Sequence, residues 1–200
     1  MDILQAIYKL DRLVFTTREV AAVTGKSLSA VTQALRRLES KSIITHVIRG
    51  VWAFAGDRRF GPLMVVPYLN SLHRSYISFI SAMHIYGMIG QIPQVVTVAS
   101  TAHTKKVKTP VGVFSIHQIS PSFFDGFVWN KNGSFLIATP EKALVDCLYL
   151  ASRRGKRYLS FPELEFPRSF RKSVAKRWVT KIEYPRLRKS VMRKLTDILK

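Results

Sequence analysis

The stretch Thr16–Glu39, TTREVAAVTGKSLSAVTQALRRLE, constrains the fold of this chain more than any other. It reads as two short helices joined by a tight turn. The first runs from about Thr17 to Thr24, with Thr16 or Thr17 as N-cap and Glu19 in the first turn, where both can satisfy free backbone N–H groups. Gly25 stops it, because glycine takes the left-handed conformation at a helix end without penalty. The second helix starts near Ser27 and places Leu28, Val31, Leu35 and Leu38 on one apolar stripe at helical spacing. Its other face carries Ser29, Thr32, Gln33, Arg36 and Arg37, with Lys26 just ahead of it. Such a face suits a helix lying in a DNA major groove. Gln and Arg make bidentate contacts to base edges, and Ser, Thr and Arg hold phosphates.

A helical hairpin alone is weak support for DNA binding, and the next residues strengthen it. Ile43–Phe54, IITHVIRGVWAF, reads as two strands with Gly50 at or near the turn and Arg49 beside it. Helix, turn, helix and then a hairpin with a basic tip is the order of a winged helix-turn-helix. Asp2–Leu13 reads as an opening amphipathic helix whose Ile3, Leu4, Ile7 and Leu10, with Val14 beyond, complete a three-helix core. Arg58 and Arg59 close the wing and are further candidates for phosphate contact. The DNA-binding domain is expected over residues 1–60, followed by a connector over 61–74 that holds Pro62 and Pro67.

Charge supports a polyanionic partner. The chain has 200 residues and a formal net charge of +20, distributed as +5 over residues 1–60, +3 over 61–150 and +12 over 151–200. Nucleic acid is the commonest partner for such an excess. The hydrophobic content of 47% is enough for a real core. Cys147 is the sole cysteine and reads as buried and inert in an apolar helix. The N-terminus lacks a basic region followed by an apolar one, and Tyr76–Ile89 is short for a membrane span and interrupted by Ser78, Ser81, His84 and Gly87. A cytoplasmic protein with no membrane partner is the expectation.

Residues 75–200 read as a second, mixed α/β domain. Ser75–Ile89 is expected to be a helix, with His84 as a hydrogen-bonded core histidine. Val95–Ala99, Val111–Ile119 and Ser134–Ala138 are expected to be strands, and Lys105, Lys106 and Lys108 to lie in a polar connector. Thr139 and Pro140 are a good N-cap and first residue for a helix running to Gly155. Beyond Phe161, two amphipathic helices carry the stripes Phe170, Val174, Trp178, Ile182 and Leu187, Val191, Leu195, Ile198. Their outer faces put Arg171, Lys172, Lys176, Arg177, Arg188, Lys189, Arg193 and Lys194 forward as candidate phosphate contacts that position the protein without reading bases. The fold class is therefore α+β: a winged helix-turn-helix, then a mixed α/β domain whose segment 161–200 is helical and basic.

No constellation for catalysis is evident. The five histidines lack zinc-ligand spacing, there is no phosphate-binding glycine loop, and Asp125, Glu141 and Asp146 are too few and too dispersed for a two-metal centre. The chain is expected to be no enzyme and to need no metal or cofactor.

The blocks TTREVAAVTGKS, RRLESKSIITHVIRGVW, YISFISAMHIYGMIGQIP, VVTVAS, GVFSIHQI and IATPEKALVDCLYLASRRGK, in that order, resemble the AbiEi-like antitoxins of bacterial abortive-infection, type IV toxin–antitoxin systems. The resemblance runs from about Thr16 to Lys156 and is most specific at Tyr76–Pro93 and at Thr139–Asp146. It implies a winged-helix domain followed by an antitoxin domain, repression of the protein's own promoter, and opposition to a nucleotidyltransferase-like toxin encoded beside it. Winged-helix repressors often read inverted repeats, so two copies on one site are expected. Carried over to this chain, it assigns DNA contact to Ser27, Ser29, Thr32, Gln33, Arg36 and Arg37, and to Arg49 in the wing. Two other readings stand beside it: a nucleic-acid-processing enzyme using Asp125 or Asp146, and a module for structured RNA using the basic C-terminal helices.

Overall fold

The computed structural model describes residues 2–70, 72–154 and 163–200, which form two compact units: residues 2–69 with 108–112, and residues 70, 72–107, 113–154 and 163–200. The first unit begins with α1 (Ile3–Leu10), capped by Asp2 in a reciprocal arrangement with Gln5. The helix stops earlier than its apolar pattern implies. Asp11 turns left-handed (φ 49°) and donates its N–H to the Tyr8 carbonyl. Val14, expected on the helix face, instead opens strand β1 (Val14–Thr16), where its β-branched side chain packs better.

α2 (Thr17–Thr24) and α3 (Leu28–Ser40) follow as the pattern predicts. Thr16 Oγ1 accepts the Glu19 N–H at 3.1 Å and Glu19 Oε2 accepts the Thr16 N–H at 2.7 Å, so two free donors are satisfied at once. β2 (Thr45–Ile48) and β3 (Val51–Ala53) complete an antiparallel three-stranded sheet of order β1-β3-β2. Ile3, Ile7, Phe15, Val20, Val31, Leu35, Ile44 and Trp52 close the core between helices and sheet. Pro62–Tyr68, read in the sequence as part of a connector, forms a 3-10 helix that belongs to this unit. Its Val65 and Val66 are buried, and the Tyr68 hydroxyl donates to the Val14 carbonyl at 3.0 Å.

The second unit is built on a six-stranded mixed sheet of order β6-β7-β5-β4-β9-β8, apart from residues 108–112, the end of β6 and its turn into β7, which group with the first. Its strands are β4 (Ser75–Ile77), β5 (Val96–Ser100), β6 (Lys105–Thr109), β7 (Gly112–Gln118), β8 (Phe127–Trp129) and β9 (Leu136–Ala138). β5 runs parallel to β7, β4 parallel to β9, and the β4–β5 and β8–β9 pairs are antiparallel. Two expectations are corrected. Ser75–Ile77 is a central, fully buried strand rather than the start of a helix. The chain then reverses at Phe79 (φ 56°) and only Phe79–Ile85 is helical, as α4. Lys105–Thr109 is not a connector but the edge strand β6. A strand at a sheet edge can alternate lysines with half-buried Val107 and Thr109, and the charge discourages pairing with another chain.

α5 (Pro140–Arg154) is the helix around which this unit packs, buried at every residue from Glu141 to Ala151. It contacts α4, α6 (Lys172–Thr180) and α7 (Pro185–Ile198). The stripe expected of α7 holds, with Val191 and Leu195 buried and Leu187 and Ile198 half-buried. That of α6 is displaced: Ala175 and Val179 are buried there, while Phe170, Val174 and Trp178 are half-buried and only Ile182, beyond the helix end, is buried as expected. The expected helix end at Gly155 and the composition change at Phe161 lie outside the described residues.

The approach of α6 to the loop before β8 is tight. Gly126 sits at φ 79°, and a Cβ there would lie 2.6 Å from the Trp178 ring and 3.0 Å from Lys142 Cγ. Gly126→Ala therefore combines an unfavourable backbone region with overpacking. It should lower stability by roughly 2–4 kcal/mol, read as a shifted midpoint in urea followed by tryptophan fluorescence and circular dichroism.

Candidate nucleic-acid interface

Ser27 starts α3. Its hydroxyl accepts the Ala30 N–H at 3.3 Å, and its extended backbone sets the entry angle of the helix. Val31 and Leu35 are buried and Leu38 half-buried, so the inward face is fixed. The outward face carries Lys26, Ser27, Ser29, Gln33, Arg36 and Arg37, all exposed, with Thr32 half-exposed at its margin. No acidic residue occupies the first turn, which leaves the positive end of the helix dipole uncompensated where a phosphate would lie. Glu39, at the far end, is occupied: its Oε1 accepts the His46 N–H at 3.1 Å.

One residue departs from its expected place. Leu28, assigned to the apolar stripe, is 50% exposed. The first turn of α3 extends past the core formed by Val31 and Leu35, so the stripe's leading residue has nothing to pack on.

The wing is short. β2 and β3 meet in a two-residue turn at Arg49-Gly50, and the Gly50 carbonyl accepts the Thr17 N–H at 2.9 Å, which fastens the tip to α2. The buried Trp52 indole N–H donates to Thr17 Oγ1 at 2.9 Å and braces the same corner. Arg49 is left as the single exposed cation at the tip. Of the two arginines beyond the wing, Arg58 is exposed. Arg59 is held by Asp57 in a bidentate pair at 3.0 and 2.8 Å. The Arg59 guanidinium pulls the Asp57 carboxyl down to about 2, so the pair persists at neutral pH and much of the cation's charge is spent internally. Arg58 is thus the better placed of the two for phosphate.

In the second unit the eight basic residues put forward from α6 and α7 divide similarly. Arg171, Lys176, Arg177, Lys189 and Arg193 are exposed. Lys172 Nζ donates to the Leu199 carbonyl at 2.7 Å, Lys194 Nζ to Ser152 Oγ at 3.0 Å, and Arg188 Nη1 more weakly to the Thr180 carbonyl at 3.5 Å. These three tie helices together.

Residue-type reasoning missed a buried polar cluster. Lys142 and Asp146, one turn apart on α5, form an ion pair with no solvent exposure. Tyr76 OH donates to Asp146 Oδ2 at 2.9 Å and accepts from Lys142 Nζ at 3.0 Å, while Ser78 Oγ donates to the same carboxylate at 2.6 Å. Phe123 covers the ammonium 3.8 Å from its ring centre. Burial pushes the Lys142 ammonium below its ordinary value, against the pull of Asp146, and pushes the Tyr76 phenol well up. The neighbouring Glu141 accepts the Arg171 N–H at 2.8 Å and so fastens the start of α6. The TPEKALVD stretch is thus more than a helix cap and packing surface: it locks α5 to β4 and α6. The Lys–Asp spacing on an apolar helix was the available signal. His84, expected as a hydrogen-bonded core histidine, has a buried Nδ1 without a hydrogen-bond partner among the described residues. Cys147 is buried as expected, its thiol raised well above the usual range by burial.

Among the described residues no group of His, Cys, Asp and Glu could hold a metal ion, and no helix is long and apolar enough to cross a membrane.

The first unit, with its exposed α3 and short basic hairpin, has the element order of a winged helix, within a mixed α+β chain. Residues 2–60 match the family model of the Firmicute plasmid replication protein, RepL, a stretch that holds α1 to α3 and β1 to β3 and ends before the 3-10 helix. No curated protein matches the chain.

Proposed function

We propose that this chain is a DNA-binding regulator without catalytic activity, acting in the cytoplasm as the antitoxin of a type IV toxin–antitoxin pair, repressing its own promoter and opposing a nucleotidyltransferase-like toxin. The observation that carries the DNA reading is the outward face of α3, where Ser29, Gln33, Arg36 and Arg37 are exposed and make no side-chain hydrogen bond to another described residue, on a helix whose opposite face is locked in the core. The match of residues 2–60 to a plasmid replication protein supports a DNA transaction for the same unit. The antitoxin role rests on the order of sequence blocks from Thr16 to Lys156. The family match also favours a second reading, in which the winged helix binds a plasmid replication origin rather than a promoter.

At +20, affinity by itself says little, because any duplex is held at low salt through counterion release. The test is a salt series with the full chain against its own upstream DNA, a plasmid-origin duplex and a shuffled duplex of equal length. Binding to the upstream DNA is expected to survive at physiological salt while the shuffled control is lost. Preference for the origin duplex would replace regulator by replication protein. Three curves falling together would reduce the interface to a charge clamp.

A further inference from the structure

The exposed leading turn of α3 is not wholly polar. Leu28 is half exposed there, although it belongs by spacing to the buried stripe. Thr32 lies one turn further on, and its hydroxyl is turned back on the helix, donating to the Leu28 carbonyl at 2.7 Å. With the hydroxyl proton so engaged, the γ-methyl is the part of half-exposed Thr32 that is left to meet an apolar group. Residues four apart share a helix face, so Leu28 and Thr32 form one apolar ridge, continued by Arg36 and flanked by the Ser29–Gln33 row. A single exposed leucine on a surface needs no explanation. An isobutyl group and a threonine methyl set side by side, at the end of a recognition helix that ordinarily meets base edges, have a chemical counterpart in the major groove. Thymine is the base that presents a methyl group there, and apolar side chains are what recognise it.

Resting on the DNA-binding reading above, we infer that Leu28 and Thr32 are specificity-determining residues that read the 5-methyl groups of thymines, while Gln33 and Arg36 read hydrogen-bonding edges beside them. The bound half-site contains at least one thymine recognised through its methyl.

The test uses the full chain. Duplexes selected from a random pool give the preferred sequence, and each thymine in it is then replaced singly by deoxyuridine, which removes the methyl and leaves every hydrogen-bonding group. At one or two positions the wild-type protein is expected to lose about fourfold in affinity per methyl, the worth of one buried methyl group. Leu28→Ala should bind the thymine duplex more weakly and be indifferent to deoxyuridine at one of those positions, the signature of direct coupling. Thr32→Ser keeps the hydroxyl and loses the methyl, so it should behave like Leu28→Ala at a neighbouring thymine. Thr32→Val keeps methyls and loses the hydroxyl, and should bind as wild type does. Both side chains lie outside the core, so circular dichroism should be unchanged in all three. A wild-type protein indifferent to deoxyuridine everywhere, or a Leu28→Ala protein that keeps the full sensitivity, overturns methyl readout and leaves DNA recognition standing. A pool that yields no preferred sequence overturns base recognition itself, and this inference with it.

Discussion

Asp146→Ala should destabilise the second unit by about 3–5 kcal/mol, enough to leave a marginal domain largely unfolded at 37 °C. The substitution strands the Lys142 ammonium, which has no solvent exposure, with only Tyr76 OH as an oxygen partner, and it removes the acceptor of Ser78 Oγ. An isolated buried charge cannot be compensated by packing. The aromatic ring of Phe123 beneath the ammonium offsets only a part of the loss. Replacing the pair together, as Lys142→Met with Asp146→Leu, removes both charges. Adding Tyr76→Phe and Ser78→Ala removes the polar groups left behind. That quadruple variant should be more stable than Asp146→Ala although it changes four residues instead of one, because satisfied apolar packing costs less than a single orphaned ion. Urea titration of each variant, with circular dichroism and tryptophan fluorescence recorded separately because two units need not unfold together, decides the order. If Asp146→Ala proves as stable as wild type, the cluster does not hold α5 against β4.

That cluster also marks where the sequence ceases to be legible. Lys142 and Asp146 are visible as an i, i+4 pair on a helix that is otherwise apolar, but Tyr76 and Ser78 lie 66 to 70 residues away, and nothing local brings them together. The same limit explains Ser75–Ile77. A three-residue strand buried on both faces shows no alternation, so Ser75–Ile77 fits helix and strand equally, and the central place of β4 in the sheet decides the matter. Lys105–Thr109 reads as loop because its charge reflects a position at the sheet edge, which only the assembled topology defines. What was legible is what short-range physics governs. The Thr16–Glu19 capping box, the left-handed Gly25, the Ser27 cap and the Thr139–Pro140 start each depend on neighbours within four residues. In the candidate interface the polar residues of α3 were readable for the same reason. Leu28 was not, since its exposure depends on where the core ends.

Arg36→Ala/Arg37→Ala should separate base reading from charge in the first unit. Both side chains are exposed, and neither makes a side-chain hydrogen bond or ion pair with another described residue, so the double variant should fold as wild type does. A bidentate arginine–base contact contributes about 1–3 kcal/mol of discrimination. If one of the two makes such a contact and the other holds a phosphate, affinity for the selected duplex at physiological salt falls by about 10- to 1000-fold, and affinity for shuffled DNA falls only as far as the removal of two cations requires. The proper control lies on α7. Lys189→Ala/Arg193→Ala also removes two exposed cations, from a surface to which no base-reading role is assigned. It should weaken both duplexes alike and flatten the salt dependence by about one unit of slope for each phosphate that is no longer neutralised. The ratio of the two affinities is therefore the quantity to read. A ratio that collapses with Arg36 and Arg37 and survives with Lys189 and Arg193 assigns sequence reading to α3 and positioning to the basic C-terminal helices. A ratio untouched by either pair moves base recognition off these arginines and onto Gln33 and the Leu28–Thr32 ridge. Equal collapse with both pairs would make the two basic surfaces parts of one recognition apparatus, and the winged helix alone would then be insufficient to choose its DNA.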